Sequence, residues 1–324
     1  MPAENSAETA NVTGNGTGNE NRVEIGVSLP EVLPPGAALP DVAGLARVAE
    51  QAGLDGVWAA DRLVNGDLST LDPTLTLAAA AAVTTRVAIG FAVLVPSLRP
   101  LVWTAKQVAT LRHLAGDRLR LGVAAGGGSA GEYQLAGVDL AGRVRRTEDF
   151  LRLLPDLLGG RPTPVPDLPG APVAQLRPVT PVPPVWVGGA SAGALRRAVR
   201  YGDGWLSGLQ PPEEFAASRR QLFELADQAG RARPRTGVGL HAALGPRPGP
   251  ELKRRTVTAL QTAYGLPTDR AEQVAVAGTP AQVAGQLDRY VAEGADLIVV
   301  VCDPEPTPES WELLAEARRL VRGA

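Results

Sequence analysis

From residue 23 onward, short apolar segments alternate with segments of helical periodicity, eight times over. The strand-like stretches are Val23–Leu29, Gly56–Ala60, Val87–Val95, Leu119–Ala125, a fifth from Val185, Gly204–Gly208, Thr236–Leu244 and Asp296–Asp303. Between the first two, Asp41 can cap a helix with Val42, Leu45, Val48 and Ala49 on one face, ended near Gly53. Asp72-Pro73 opens another, because proline suits the first helical position. Leu101, Ala105, Val108, Leu111 and Leu114 then recur at helical spacing up to Gly116. Further helices are expected over 142–158, 213–230, 252–265, 280–294 and 308–322. This alternation predicts an α/β fold, a (β/α)8 TIM barrel, with an open doubly wound sheet as the competing arrangement. No repeat of 20–50 residues interrupts it.

In such a barrel the chemistry gathers at the carboxyl ends of the strands. The candidates are therefore Pro30 to Glu31, Asp61-Arg62, Val95 to Arg99, Ala125 to Glu132, Gly188 to Ser191, Gly208 to Gln210, His241 and Cys302-Asp303. The strongest local signal is Pro184-Val185-Trp186-Val187-Gly188-Gly189-Ala190-Ser191 followed by a helical run through Val199. It reads as strand, sharp glycine turn and helix start. The first helical turn leaves N–H groups without backbone partners, which makes an anion cradle, most often for phosphate. His241 falls within the seventh strand and is the histidine placed for proton transfer; His113 sits late in a helix and reads as structural. Two histidines so far apart argue against a catalytic zinc, and no metal is expected. Lys106 and Lys253, the only lysines, are predicted on helices, which argues against a Schiff-base enzyme. Cys302 reads as a buried thiol.

Nine prolines lie between Pro162 and Pro184, and that stretch is read as a proline-rich insertion before strand 5 that shapes the barrel mouth. Residues 1–21 lack any apolar run and are expected to be a disordered tail, leaving 22–324 as a single domain. The net charge of −2 provides no field for nucleic acid or a membrane surface, and no apolar stretch of bilayer length is present. A lone cysteine permits no intrachain disulfide, so a cytoplasmic, reducing setting is expected.

Four segments carry a family resemblance. They are Ala49–Asp61; Arg86–Val95 with Arg99-Pro100 and Ala105-Lys106-Gln107; Gly116–Val123 with Glu132-Tyr133 and Gly137; and the Gly-Gly stretch with Asp203-Gly204-Trp205. Together they resemble the bacterial-luciferase-like family of flavin- and deazaflavin-dependent oxidoreductases. The resemblance implies the same barrel, homodimers, and a small organic substrate. It places the cofactor phosphate on Gly188, Gly189, Ala190 and Ser191, and adds Asp61 to the cofactor site. It also implies a non-prolyl cis peptide at Ala92-Val93 beneath the cofactor ring. The motifs are closest to enzymes using coenzyme F420, which implies hydride transfer to or from the substrate. Reduced FMN with oxygen, as in the family's monooxygenases, is the alternative, and a non-catalytic flavin- or metabolite-binding barrel is another. Sugar-phosphate dehydrogenases of the family carry a His and a Glu where this chain has Arg62 and Gly127, so that acid–base pair is missing. Arg62 could hold an anionic group, joined by Arg99 along the long F420 tail, or pair with Asp61 or Asp67 at the rim.

Overall fold

A computed structural model describes residues 22–30, 32–33, 35–127, 130–166, 168–303 and 307–324. The expected tail 1–21, together with Glu31, Gly128 and Ser129, lies outside the described residues. The eight barrel strands are β1 Glu24–Ser28, β2 Gly56–Ala59, β3 Ala88–Phe91, β4 Leu119–Val123, β5 Val185–Gly188, β6 Gly204–Gly208, β7 Arg235–Leu244 and β8 Leu297–Cys302. Each pairs in parallel with its sequence neighbour, and β1 pairs with β8, so the sheet closes on itself. The barrel is therefore the one predicted, and the open sheet is excluded.

The helices that separate the strands are α1 Val42–Ala52, α2 Pro73–Val83, α3 Leu101–Ala115, α4 Arg143–Leu158, α5 Ala192–Tyr201, α6 Pro212–Gln228, α7 Pro250–Tyr264, α8 Pro280–Ala292 and α9 Pro308–Leu320. Their ends follow from local chemistry. The Asp41 carboxylate accepts from the Gly44 N–H and Gly53 ends α1 in the left-handed region, as expected. Asp72 accepts from Thr74 and Leu75, and Pro73 opens α2. Leu114 departs from its expected face: it is exposed, and Ala115 turns inward in its place.

Two tryptophans fill the inside of the barrel. Trp58 on β2 and Trp186 on β5 are buried and pack with Leu206, Leu297 and Val299. Trp58 is in register with Gly90 on β3, where a Cβ would overlap the indole. The absence of a side chain there is what admits the ring. Ala92 and Val93 rest on this layer. It packs beneath the cavity at the carboxyl ends of the strands.

The proline-rich stretch departs from expectation in two ways. It forms a small antiparallel pair, Thr163–Pro164 with Val173–Ala174. It also enters β5 from the amino end, contacting α3 and α4 through Lys106 to the Arg177 carbonyl and Thr180 N–H to the Leu158 carbonyl. No described residue of 160–183 lines the mouth cavities, so it does not shape them. A connection from helix to strand lies on the face opposite the strand exits, which accounts for this. Short elements that were not anticipated include helix Thr268–Val274, strand Ala275–Gly278, which adds to β7, and the antiparallel pair Val32–Leu33 with Ser69–Thr70.

Candidate active site

The strand exits surround a cavity of about 420 Å³ lined by Ala92, Val93, Gly126, Gly188, Gly189 and His241 among others. A recess of about 200 Å³ adjoins it, lined by Asp61, Arg62 and Glu132 and sharing Ala92, Val93 and Gly127. The peptide bond between Ala92 and Val93 is cis. The Gly122 position opposite β3 has no room for a Cβ, which would overlap the Phe91 carbonyl. Thus a glycine on β4 lets the chain bend inward just before Ala92.

At the end of β5, Gly189 takes φ +107°, a conformation that L side chains rarely adopt. Its carbonyl accepts from the Trp205 indole N–H at 2.7 Å and its N–H donates to the Leu206 carbonyl at 3.1 Å. These bonds tie the turn to β6. A Cβ at Gly188 would lie 3.0 Å from Val93 and 3.2 Å from Ala124, so the wall is narrow there. Ser191 caps α5 by accepting from the Ala194 N–H at 3.2 Å, so its hydroxyl already serves the helix start. Ala190 and Ser191 are exposed.

Arg197, on the second turn of α5, lines the same cavity and was not anticipated. It is buried, one guanidinium nitrogen lies 3.5 Å from a Glu148 carboxylate oxygen, and its Nε has no hydrogen-bond partner among the described residues. A buried cation beside a helix N-terminus adds directly to the positive potential of the cradle. Three residues after Ala194, it follows from the helical period of the run, but an arginine in an arginine-rich chain carries little signal of its own.

The acidic and basic groups at the second and third strand exits pair differently from expectation. Asp61, whose side chain is wholly buried, takes both guanidinium nitrogens of Arg99, one of them at 2.9 Å, and the Val95 N–H at 2.9 Å. Burial works against the Arg99 charge, but the Asp61 hydrogen bond and charge outweigh it and hold the guanidinium above its ordinary pKa. Arg99 is therefore neutralised and is not the additional open cation expected along the mouth. Asp61 in turn has both oxygens engaged, and its backbone N–H donates to the Val93 carbonyl at 3.2 Å. Arg62 pairs with neither Asp61 nor Asp67; it faces Glu132 at 4.0 Å and its side chain is 30% exposed. Glu132 is buried and also accepts from the Leu63 N–H.

His241 does reach the mouth. It is buried, with Nδ1 3.1 and 3.2 Å from the two carboxylate oxygens of Asp303 and Nε2 3.1 Å from the Tyr264 hydroxyl. Burial pushes the Asp303 carboxyl up, and the hydrogen bond from His241 offsets this only in part. Tyr264, the last residue of α7, was not anticipated; it is separated from His241 by 23 positions, and no spacing rule connects them. Cys302 is buried and its thiol is pushed up to about 12 by burial, as an inert core thiol should be. His113 is exposed in the last turn of α3. Among the described residues no three His, Cys, Asp or Glu side chains gather in a way that could hold a metal ion. Nor is any described helix long and apolar enough to cross a membrane.

A sequence model of the family described as luciferase-like monooxygenase matches residues 21–265. An uncharacterized protein of Mycobacterium tuberculosis is 34% identical over 159 residues, covering 48% of this chain and 54% of its own length. The chain thus spans about half the length of these curated relatives. In three dimensions, an F420-dependent secondary alcohol dehydrogenase in complex with an F420-acetone adduct superposes with a TM-score of 0.78 at 17% identity, over 93% of this chain and 99% of that one. The oxygenating constituent of 3,6-diketocamphane monooxygenase from Pseudomonas putida, in complex with FMN, superposes at 0.73 with 16% identity, over 93% and 99%. At these identities the superpositions establish the shared fold.

Proposed function

Because the chain belongs to the luciferase-like monooxygenase family, we propose that it is an F420-dependent oxidoreductase that moves a hydride to or from a small organic substrate. One observation carries the reading: the 420 Å³ cavity brings the Gly188-Gly189 turn, the N-terminus of α5 and the buried Arg197 to a single wall. That wall fits a phosphate, with glycines for close approach, the N–H groups of the first turn of α5 and a cation whose Nε has no partner among the described residues. The bound cofactor supplies the redox chemistry, and the protein supplies binding, orientation and exclusion of competing reactions.

The roles follow from placement. Gly188, Gly189, Ala190 and Ser191 hold the phosphate, with Arg197 as its counter-charge. Ala92 and Val93 support the ring from the barrel side. Asp61 acts by fixing the exit of β3 through Arg99 and the Val95 N–H. Arg62 meets an anionic group of cofactor or substrate from the recess. His241 serves proton transfer. F420 is preferred because its long anionic tail gains from a cation such as Arg62. The FMN-dependent monooxygenase is the second reading, and the neutralisation of Arg99 by Asp61 favours it, since one of two expected tail contacts is gone.

The turn itself is tested by Gly189→Val, which places a β-branched side chain at φ +107°. Cofactor affinity, read by fluorescence of F420 and FMN in parallel, should fall at least tenfold in a protein that remains folded by circular dichroism. Unchanged affinity in the folded variant removes the phosphate from this turn.

A further inference from the structure

His241 has no ring nitrogen left for a substrate, because Asp303 faces Nδ1 and Tyr264 faces Nε2. A carboxylate can only accept, so in the neutral ring Nδ1 carries the hydrogen and Nε2 accepts from the phenol O–H. The hydrogen-bonded chain therefore runs outward from a buried carboxylate, through a buried imidazole, to a phenol. The imidazole and carboxylate are 6% and 7% exposed, whereas Tyr264 is 44% exposed. Of the three residues, Tyr264 is the one that a bound molecule can reach.

Tyr264 also stands where three cavities meet. It lines the cofactor cavity and the Arg62 recess, and it lines a further chamber of about 540 Å³ on the far side of His241. The chamber wall is largely apolar, with Leu29, Val32, Leu33, Leu68, Ala259 and Ala263 among its residues. Its described charged lining is two arginines and two acids. Arg254 pairs with Glu251, and Arg255 acts on Asp303 through its charge. Among the described residues the charges balance, and their sum favours neither anions nor cations. A chamber of this size and lining suits an uncharged organic molecule.

We propose that this chamber is the substrate site, that its substrate is a largely apolar, uncharged alcohol or the matching carbonyl compound, and that Tyr264 is the acid–base residue acting on the substrate oxygen, with His241 and Asp303 positioning and relaying behind it. The proposal rests on the cofactor reading above. In the oxidative direction the carbinol C–H bond breaks and its hydrogen leaves with both electrons to the oxidised deazaflavin. The substrate hydroxyl proton passes to the Tyr264 oxygen as the proton of Tyr264 passes to His241 Nε2. Asp303 then faces the imidazolium. The carbonyl product, the reduced cofactor and the protonated histidine balance the step, and reduction runs the same transfers backwards.

The test uses the full chain. An F420 titration read by cofactor fluorescence comes first, and its outcome bears on the cofactor reading alone. Octan-2-one labelled with 13C at the carbonyl is then titrated with and without F420 and followed by NMR. Saturable ketone binding is expected. It should weaken at least tenfold in Ala259→Phe and in Thr258→Trp, an exposed chamber position that the fold can spare, with F420 affinity unchanged in both. In Tyr264→Phe, ketone affinity should change by less than about threefold, while the downfield displacement of the bound carbonyl resonance disappears. Oxidation of octan-2-ol with F420 should fall by about 10²–10⁴-fold in that variant, the usual contribution of a positioned acid or base. Asp303→Asn should keep ketone affinity and move the pH midpoint of the carbonyl displacement; among the described residues Arg255 and the Cys302 thiol border the relay, and the Glu251–Arg254 pair lies on the same chamber wall. Absence of saturable binding, indifference to both chamber-filling variants, or an unchanged carbonyl resonance in Tyr264→Phe overturns the proposal. An unmoved midpoint in Asp303→Asn removes the relay from it.

Discussion

Replacing Arg99 with Met should be among the most damaging single changes at the barrel mouth. The Asp61 side chain has no exposure, and Arg99 supplies two of the three hydrogen bonds that satisfy its oxygens. With Arg99 gone, only the Val95 N–H remains to the carboxylate among the described residues. Removing one partner of a buried ion pair typically costs about 3–5 kcal/mol, because the other charge is left uncompensated. At a urea m-value of about 3 kcal/mol/M, this is a fall in midpoint of about 1–1.7 M. The reverse change should be milder. Asp61→Asn leaves a guanidinium that is 17% exposed and 3.8 Å from Asp72, so it keeps water and a second carboxylate. A cost of about 1.5–3 kcal/mol is expected there, near that of a lost charged hydrogen bond. Urea unfolding of the apo-protein, followed by circular dichroism and intrinsic fluorescence, gives both numbers. A loss below 1 kcal/mol in Arg99→Met, or a larger loss in Asp61→Asn, would refute the argument that the pair exists to satisfy a buried carboxylate.

Two further outcomes follow from the ionisable groups. Native protein at pH 8 should resist alkylation of Cys302 by iodoacetamide, since burial holds the thiol near a pKa of about 12, and labelling should appear only with global unfolding; mass spectrometry of the intact chain across a urea series checks this. Burial raises the folded-state pKa of Asp303 above the unfolded value of about 3.9. The stability tied to this group is therefore fully present below about pH 4 and is lost as pH rises through the raised pKa. Relative to Asp303→Asn, the wild-type melting temperature should decline as pH is raised from 3.5 to 8, and a flat difference contradicts the assignment.

The barrel was legible because each strand is a compact apolar run with turn or cap signals on either side. Asp41, Gly53 and Asp72-Pro73 announced helix ends through groups that bond only locally, so sequence neighbours sufficed. The Gly188–Ser191 turn was legible for the same reason. What escaped was long-range pairing. Asp61 met Arg99 rather than Arg62 because β2 and β3 lie side by side, and a side chain after the β3 exit reaches back across both. His241, Tyr264 and Asp303 come from β7, the end of α7 and the end of β8, and only closure of the barrel brings them together. Asp303 is legible as a strand-exit residue, but Tyr264 sits at a helix terminus that carries no such signal. Strand Ala275–Gly278 is four small or β-branched residues long, too short to show a period.

The central claim is that the strand exits bind a phosphate-bearing deazaflavin, and parallel titrations of the wild-type chain with F420 and FMN, each oxidised and reduced, test it most directly. The expected result is one site per chain with F420 bound more tightly, and with raised salt or Arg62→Ala weakening F420 more than FMN. Failure of both cofactors to bind contradicts the claim outright; FMN binding at least tenfold tighter than F420 contradicts the deazaflavin assignment and moves the enzyme to the oxygen-inserting chemistry.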